Sequence, residues 1–359
     1  MADRRQVLDL FAGAGGWDEG LAQLGHRALG IEIDEIASAT AEAAGHERLV
    51  VDVAALDPQG FAPVWGLIAS PPCQSYTLSA NYAGRKDKAA VIACAHDLAK
   101  GRDTRAKWLG RCLDDRSLLT VEPLRFVLAL RPRWVAFEQV PPVIELWEVF
   151  AELLTGHGYQ VAVSFLSSER YGVPQVRKRA FLIASLDGPV EMPSPTHRSF
   201  NARRHRAPEH ELHLRQWVSV AEALGWGGRP TPLRSTHTHS GRYPTGDPRS
   251  FDRPAFTLMR DAGRWKIETK DRVWRSPRRG QRRSAGAKSR RHRFRRRTEL
   301  VTVEQGSIIQ GFRADYPWQG TRSQCFSQIG NSVCPPVAQH VLREAMKPSL
   351  QANQEASER

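Results

Sequence analysis

Short apolar runs alternate with amphipathic stretches along the first half of the chain. The apolar runs predict strands at 7–11, 29–34, 49–53, 67–70, 134–138 and 180–184. The amphipathic stretches predict helices from Gly16 toward Gly25, over 35–44 and over 118–130. Because strands that alternate with helices form crossover units, the pattern predicts an α/β fold whose parallel sheet is covered on both faces.

The pattern changes after residue 184. From about Glu191 to Thr298 the chain is rich in Pro, Arg, His and Gly and has little periodicity, which indicates a second domain or a large insertion. Helical patterns return at 300–309 and 333–346. The length of 359 residues is consistent with two domains. We predict a first domain at 1–189, an irregular region at 190–297, a segment at 298–348 that completes the first domain, and a disordered tail at 349–359.

The positive charge is concentrated in one segment. Residues 272–297 hold twelve Arg and one Lys without an acidic residue, which accounts for thirteen of the fourteen net positive charges. Like charges at this density repel one another, so the composition predicts a mobile basic arm whose partner is a polyanion. A solvated surface loop or a localisation patch is the alternative.

Several classes of protein fit the sequence poorly. The longest uncharged stretch, 58–84, is interrupted by prolines and polar residues, so we predict no membrane span. The start of the chain lacks a signal-peptide apolar region, and we expect a cytoplasmic protein. Five widely spaced cysteines without a Cys-x-x-Cys pair argue against a disulfide framework. Cys94, His96 and Cys112 form at most a partial ligand set, and we expect no metal.

Distinctive residues lie at or near the carboxyl ends of the predicted strands. They are the glycine turn at 13–16, Glu32, Asp52, Cys73 and Glu138. In open parallel sheets these ends border one crevice, where the glycines allow a ligand near the backbone and Glu32 can accept hydrogen bonds from a ribose. The turn lacks a dinucleotide fingerprint and a P-loop Lys, so a nucleoside without phosphates fits better. A tight turn without any ligand has the same pattern.

Five motifs occur in a fixed order. They are 9–16 (DLFAGAGG), 71–74 (PPCQ), 138–140 (EQV), 175–179 (QVRKR) and 328–333 (QIGNSV). As an ordered set they resemble the DNA cytosine-5 methyltransferase family, which uses S-adenosylmethionine, over nearly the whole chain outside 80–114 and 190–297. The resemblance implies a Rossmann-like methyltransferase sheet with a smaller, irregular target-recognition domain at 190–297.

The resemblance implies that Cys73, Glu138, Arg177 and Arg179 are catalytic. C5 of cytosine is a poor nucleophile until a group adds to C6, and a thiolate such as that of Cys73 does this well. Glu138 would hold N3 and the exocyclic amine, Arg179 would meet O2, and Arg177 would brace the loop or the flipped base. A buried apolar Cys and a capping Glu are the alternatives. Two prolines before Cys73 predict a rigid turn that presents its side chain.

The resemblance also implies a pocket for S-adenosylmethionine. It places Phe11 against the adenine, Glu32 on the ribose and Asp52 on the adenine amine, while Ile33 stands where the family often has a larger stacking residue. The full set that it implies is Phe11, Gly13, Gly15, Gly16, Glu32, Ile33, Asp52, Pro72, Asn331 and Val333.

Two features depart from the family pattern. Gln139 stands where the family usually has Asn, so the hydrogen bonds that steady the Cys73 loop cannot be transferred unchanged. The stretch 80–114 is longer than the usual mobile loop. Its cations suggest a lid that contacts phosphates, with a solvated helix as the alternative. These cations are Arg85, Lys86, Lys88, Lys100, Arg102, Arg105 and Lys107.

The implied function is methyl transfer to C5 of a flipped cytosine in double-stranded DNA, by an enzyme of the DNA (cytosine-5-)-methyltransferase class. We expect a monomer that acts alone or beside a cognate restriction endonuclease. The basic arm would grip phosphates, and sequence preference would map to 200–265, where 252–258 resembles a family segment. A related tRNA cytosine-5 methyltransferase is one alternative. The second alternative is a DNA-binding homologue with weakened turnover, and Gln139 is the only sequence feature that favours it.

Overall fold

A computed structural model describes most of the chain, and Cys73 lies outside the described residues. Those residues are 6–61, 63–72, 74–76, 83–200, 208–226, 232–234, 249–250, 252–259, 262, 265–273 and 293–358. Their strands are β1 (Val7–Leu10), β2 (Leu29–Glu32), β3 (Glu47–Val50), β4 (Gly66–Ala69), β5 (Trp134–Gln139), β6 (Gln160–Ser167), β7 (Lys178–Ser185), β8 (Pro232–Arg234), β9 (Arg249–Ser250), β10 (Lys266–Val273) and β11 (Arg293–Leu300). Their α-helices are α1 (Gly16–Ala22), α2 (Glu35–Ala43), α3 (Ala83–Ala99), α4 (Arg105–Leu109), α5 (Glu122–Leu130), α6 (Ile144–Gly156), α7 (Val220–Ala223), α8 (Val303–Gln310), α9 (Arg322–Asn331) and α10 (Pro335–Ser357).

The main sheet has seven strands in the order β3-β2-β1-β4-β5-β7-β6. Strands β1 to β5 are parallel, as predicted, and helices cover both faces. The prediction of a wholly parallel sheet is wrong for β7, which pairs antiparallel with both β5 and β6. A short 3₁₀ turn (Ser168–Tyr171) and a loop join β6 to β7. A connection this short favours an antiparallel pair, because parallel strands need a longer crossover.

Successive side chains of the central strands enter two different cores. Leu67 and Phe137 pack with α5 and α6, whereas Ile68 and Trp134 pack with α1 and α10 on the other face. This alternation follows from the two-residue period of a strand. It explains why β4 and β5 read as continuous apolar runs, since both of their faces are buried.

Several predicted boundaries are wrong. Strand β3 ends at Val50 because Asp52 caps a 3₁₀ turn, and 118–130 divides into a 3₁₀ helix (Asp115–Val121) and α5. The tail predicted as disordered continues α10 to Ser357, since its Ala, Gln and Glu residues favour a helix. Leu300 ends a strand, and α8 begins after Thr302, which forms a capping box with Gln305.

The region 190–297 contains more regular structure than its composition predicts. Strands β8 to β11 form an antiparallel sheet in the order β11-β10-β8-β9. The prediction of a mobile arm over 272–297 is therefore wrong at both ends of that range. Residues 272–273 and 293–297 lie in the β10–β11 pair, and its backbone hydrogen bonds hold them. Residues 274–292 lie outside the described residues. A third core, with Trp265, Ile309 and Phe326, joins this region to α8 and α9.

The long insertion forms a packed helix rather than a lid. Val91, Cys94 and Leu98 of α3 are buried in the core beneath the sheet. Its cations also have partners inside the chain: Lys88 pairs with Glu145, Arg102 with Asp97 and Arg105 with Glu122. Carboxylates of the chain already pair with these three cations, and their contact with DNA phosphates stays a prediction. Residues 77–82 lie outside the described residues.

Two further absences concern only the described residues. None of their helices is long and apolar enough to cross a membrane. No group of three or more His, Cys, Asp or Glu side chains in these ranges is arranged to hold a metal ion.

Candidate active site

The glycine turn after β1 is tightly constrained from several sides. Gly13 and Gly15 have positive φ angles of 56° and 104°, and Phe11 shares that region with φ 59°. A Cβ at Gly16 would lie 2.3 Å from the carbonyl oxygen of Val333. Glycine is therefore required here both for backbone conformation and for the close approach of the C-terminal segment.

Acidic side chains line the crevice beside this turn. Glu32 accepts a 2.8 Å hydrogen bond from the backbone N–H of Gly13 through Oε2. Its Oε1 atom accepts from the N–H groups of Ile33 and Asp34. Ile33 is 65% exposed, and Asp52 accepts from Ala54 N–H at the start of the next turn. An exposed apolar side chain and two ordered carboxylates at this edge fit an adenosine ligand.

A buried charge cluster lies beneath the turn. Arg48 pairs with Asp18 at 2.6 Å and donates to the carbonyl oxygen of Gly13. Asp9 of β1 is fully buried, and burial, followed by the nearby Asp18 carboxylate, raises its pKa well above the usual range. Arg48 was not found from sequence, because an Arg in an edge strand has no pattern that distinguishes it from a surface cation.

Tyr316 holds the same turn from the opposite end of the chain. Its hydroxyl donates a 2.5 Å hydrogen bond to the carbonyl oxygen of Ala14, and its ring packs against Phe312 and Trp318, which also contact each other. Sequence analysis missed this residue as well. The aromatic spacing over 312–318 was the signal that could have identified a packed cluster.

The loop that carries Cys73 is held on both sides. Gln139 Nε2 donates to the carbonyl oxygen of Pro71 at 2.6 Å, and its Oε1 accepts from Val140 N–H. Gln139 therefore holds the proline turn despite the family's usual Asn. On the other side, the buried hydroxyl of Tyr76 donates to Ser117 O at 3.4 Å. Pro72 is partly exposed between these contacts.

Glu138 lies buried at the end of β5 and pairs with Arg179. Arg179 Nε lies 3.1 Å from Glu138 Oε1. Burial raises the pKa of Glu138, while Arg179, Arg177 and a hydrogen bond from Ser70 oppose the rise. The carboxyl therefore holds its proton to higher pH than an exposed Glu does.

A small cavity adjoins this pair. Its lining includes Glu138, Arg177, Arg179, Phe181, Val333 and Cys334. Burial raises the pKa of the Cys334 thiol to about 11, so this thiol stays protonated and is a poor nucleophile. The cavity thus brings a protonatable carboxyl and two guanidinium groups together within a mostly apolar lining.

Arg177 joins three parts of the chain. It is buried, and its guanidinium donates to the carbonyl oxygens of Leu258 and Gly330 at 3.0 and 2.9 Å. Gln175 makes a parallel connection, because it donates to Gln310 and accepts from Leu258 N–H. The segment around 255–258 is therefore fixed against the loop that precedes β7.

The C-terminal segment completes the crevice. Asn331 is exposed at the end of α9, and Val333 is buried against the glycine turn. The structure thus brings the implied cofactor residues of both chain ends to the carboxyl edge of the sheet. Cys73 is the exception, since it lies outside the described residues.

Comparison with known proteins identifies similar sequences. A family model described as C-5 cytosine-specific DNA methylase matches residues 5–95 and 109–347. The Type II methyltransferase M.DdeI of Desulfomicrobium norvegicum is 31% identical over 192 residues, which cover 49% of this chain and 40% of that protein. The Type II methyltransferase M.HgiDI of Herpetosiphon aurantiacus is 24% identical, covering 91% of this chain and 90% of that protein.

A solved structure shares the whole fold. The S. pombe Dnmt2 methyltransferase superimposes with a TM-score of 0.59 at 15% identity, covering 96% of this chain and 99% of that chain. The likeness at this identity concerns the fold alone.

Proposed function

Because the chain belongs to the C-5 cytosine-specific DNA methylase family, we propose that it transfers a methyl group from S-adenosylmethionine to C5 of cytosine in double-stranded DNA. The observation that carries the proposal is the buried Glu138–Arg179 pair. The pair lies at the carboxyl edge of the sheet. Glu138 directly precedes Gln139, whose side chain binds the carbonyl oxygen of Pro71 in the turn before Cys73.

The crevice residues fit the cofactor. Glu32 presents an ordered carboxylate to a ribose, Asp52 stands at the adenine end, and Ile33 offers an exposed apolar surface. The turn with Gly13, Gly15 and Gly16, together with Phe11, Pro72, Asn331 and Val333, would enclose the remainder. S-adenosylmethionine, when bound, supplies an electrophilic methyl group.

Cys73 supplies the nucleophile in the proposed mechanism. Its thiolate forms a bond to C6 of cytosine, and the electron pair of the C5–C6 double bond moves onto C5 and the ring. The electron pair on C5 then forms the bond to the methyl group, and S-adenosylhomocysteine would leave with the electrons of the broken S–CH₃ bond. Loss of the C5 proton to a base returns an electron pair to the ring, and the C6–S bond breaks to release the Cys73 thiolate.

Glu138 stabilises the ring as Cys73 adds. A carboxyl whose pKa is raised by burial can donate a proton toward N3, which is where negative charge develops. Arg179 would contact the base O2 and holds the Glu138 carboxyl in place. Arg177 acts through the backbone that it binds at Leu258 and Gly330, so it is a positioning residue in this scheme.

The target base must leave the duplex to reach Cys73 and Glu138. Unstacking costs roughly a few kcal/mol, which contacts to the DNA backbone must offset. The region 190–297, with its dense arginines, would supply them and recognise the target sequence. The names of the relatives place them among Type II methyltransferases, which is consistent with a partner restriction endonuclease.

Methyl transfer from tritiated S-adenosylmethionine tests the proposal. We expect transfer to duplex DNA, none to transfer RNA, and none to DNA by Cys73→Ala. Cys112→Ala is the matched control, because burial raises the pKa of the Cys112 thiol to about 11, which keeps it protonated and a poor nucleophile. Bisulfite sequencing of DNA from expressing cells would give the target site. Transfer only to tRNA, or DNA binding without transfer, would support the alternative functions instead.

A further inference from the structure

Three backbone carbonyls of the turn after Asp52 are bound by arginine side chains. Arg125 donates to Val53 O at 3.0 Å and to Leu56 O at 2.9 Å. Arg105 donates to Ala54 O at 3.1 Å. Val53 O also accepts from Leu56 N–H within the turn, whereas the carbonyls of Ala54 and Leu56 take their hydrogen bonds from the arginines.

One buried carboxylate binds both arginines. Glu122 Oε2 lies 2.6 Å from Arg125 Nε, and Glu122 Oε1 lies 2.8 Å from Arg105 Nη1. Glu122 is 2% exposed. Because its two oxygens are each directed at a different guanidinium, the carboxylate fixes both side chains relative to α5.

Arg105 comes from the part of the chain that the family model does not match, between residues 95 and 109. Asp97 folds this segment back onto α3, since its carboxylate accepts from Arg102, Thr104 and the Trp108 indole. Asp103 then accepts from the guanidinium of Arg105 at 2.8 Å. The segment thus has the hydrogen bonds that orient Arg105 toward Ala54.

We propose that Arg105 is a positioning residue that fixes the turn after Asp52 and thereby sets the affinity of the cofactor site at its adenine end. The inference rests on the proposed function, which assigns Asp52 to the adenine amine. Asp52 itself accepts from Ala54 N–H at 2.9 Å, so the peptide units on both sides of Ala54 are held, one by Asp52 and one by Arg105. Through Arg105 the insertion therefore supports the cofactor site.

Calorimetric binding of S-adenosylhomocysteine to the full chain tests this role without relying on turnover. We expect Arg105→Ala to weaken binding about tenfold, and Arg105→Lys to lose less, because an ammonium can still pair with Glu122 but lacks the planar fork. In methyl-transfer assays the KM for the cofactor should rise while kcat at saturating cofactor and the KM for DNA stay within twofold of wild type.

Lys107→Ala is the matched control, because it removes a cation from the same segment whose side chain is exposed beside Trp108. It should bind S-adenosylhomocysteine like the wild type. Wild-type affinity in Arg105→Ala, an equal loss in Lys107→Ala, or a raised KM for DNA alone would overturn the inference. If Arg105→Ala does not fold, Arg105→Lys decides, since it must show weaker binding at an unchanged melting temperature. A wild-type protein that does not bind S-adenosylhomocysteine would overturn the proposed function as well.

Discussion

Gln139 Nε2 donates a 2.6 Å hydrogen bond to the carbonyl oxygen of Pro71, although 68 positions separate the two residues. The bond joins the end of β5 to the turn that precedes Cys73. Both partners are buried in this contact, so each would otherwise leave a polar group without a partner. Gln139 therefore couples the carboxyl that would hold the base to the loop that would supply the nucleophile.

Replacing Gln139 by Ala should lower both stability and turnover. Loss of a buried hydrogen bond that leaves the Pro71 carbonyl unbound should reduce the free energy of unfolding by about 1–3 kcal/mol. A misplaced Cys73 loop should lower kcat by about tenfold to a hundredfold. Urea denaturation and steady-state methyl transfer measure the two effects.

Gln59→Ala provides the control for that substitution. Gln59 also donates from Nε2 to a backbone carbonyl, that of Ala129 at 3.1 Å, but it lies at the surface. Its replacement should change the free energy of unfolding by no more than about 0.5 kcal/mol. Similar kcat values for Gln139→Ala and the wild type would show that the bond to Pro71 does not position the loop.

Glu138→Gln should abolish turnover while making the protein more stable at neutral pH. The folded-state pKa of Glu138 is raised by burial, so the folded protein binds its proton more tightly than the unfolded chain does. The contribution of Glu138 to stability is therefore fully present below the ordinary Glu pKa. It is lost as pH rises through the raised folded-state pKa.

Denaturation of wild type and Glu138→Gln at a series of pH values measures this effect. The variant and the wild type should have the same free energy of unfolding at low pH. Above the ordinary Glu pKa the free energy of unfolding of the variant should exceed that of the wild type, by up to about 0.5–2 kcal/mol. An advantage that does not change with pH would contradict the raised pKa. Loss of stability at neutral pH would show instead that the Arg179 pair outweighs the cost of burial.

Removing residues 274–292 should flatten the salt dependence of DNA binding. This segment contains seven Arg and one Lys and joins β10 to β11, which a short turn could connect instead. Each lost phosphate contact should reduce the slope of log affinity against log salt by about 0.9. Filter binding between low and moderate salt measures the slope, and sequence preference should be retained. An unchanged slope would show that these cations do not contact phosphates.

Much of the cofactor half was predictable from the sequence. Strands such as β1, β4 and β5 are buried on both faces, so their apolar runs are visible without knowledge of the partners. The glycines at 13 and 15 and the carboxylates at 32, 52 and 138 lie at or just beyond the carboxyl ends of strands. A parallel order of strands brings such ends to one edge, and the five-strand parallel part of the sheet has that order.

The tertiary structure decided which charged side chains are partners. Arg48, Arg105 and Arg125 look alike in sequence, yet each is bound to a carboxylate and to a backbone carbonyl far along the chain. Such pairs depend on where separate helices and turns lie in space, and a local sequence pattern does not predict these positions. The direction of β7, the strand structure at 266–273 and 293–300, and the packing of α3 were undetermined for the same reason.

The sequence by itself determined which side chains stand at the carboxyl end of each parallel strand. It thereby also determined the chemical groups available there. This was possible because strand periodicity and residue type act locally. Only the tertiary structure decided that Gln139 binds the Pro71 carbonyl, that Tyr316 and Arg48 hold the glycine turn, and that Arg105 of the insertion binds the turn after Asp52. Each of these outcomes depends on distances between segments, which folding sets through the packing of the whole core.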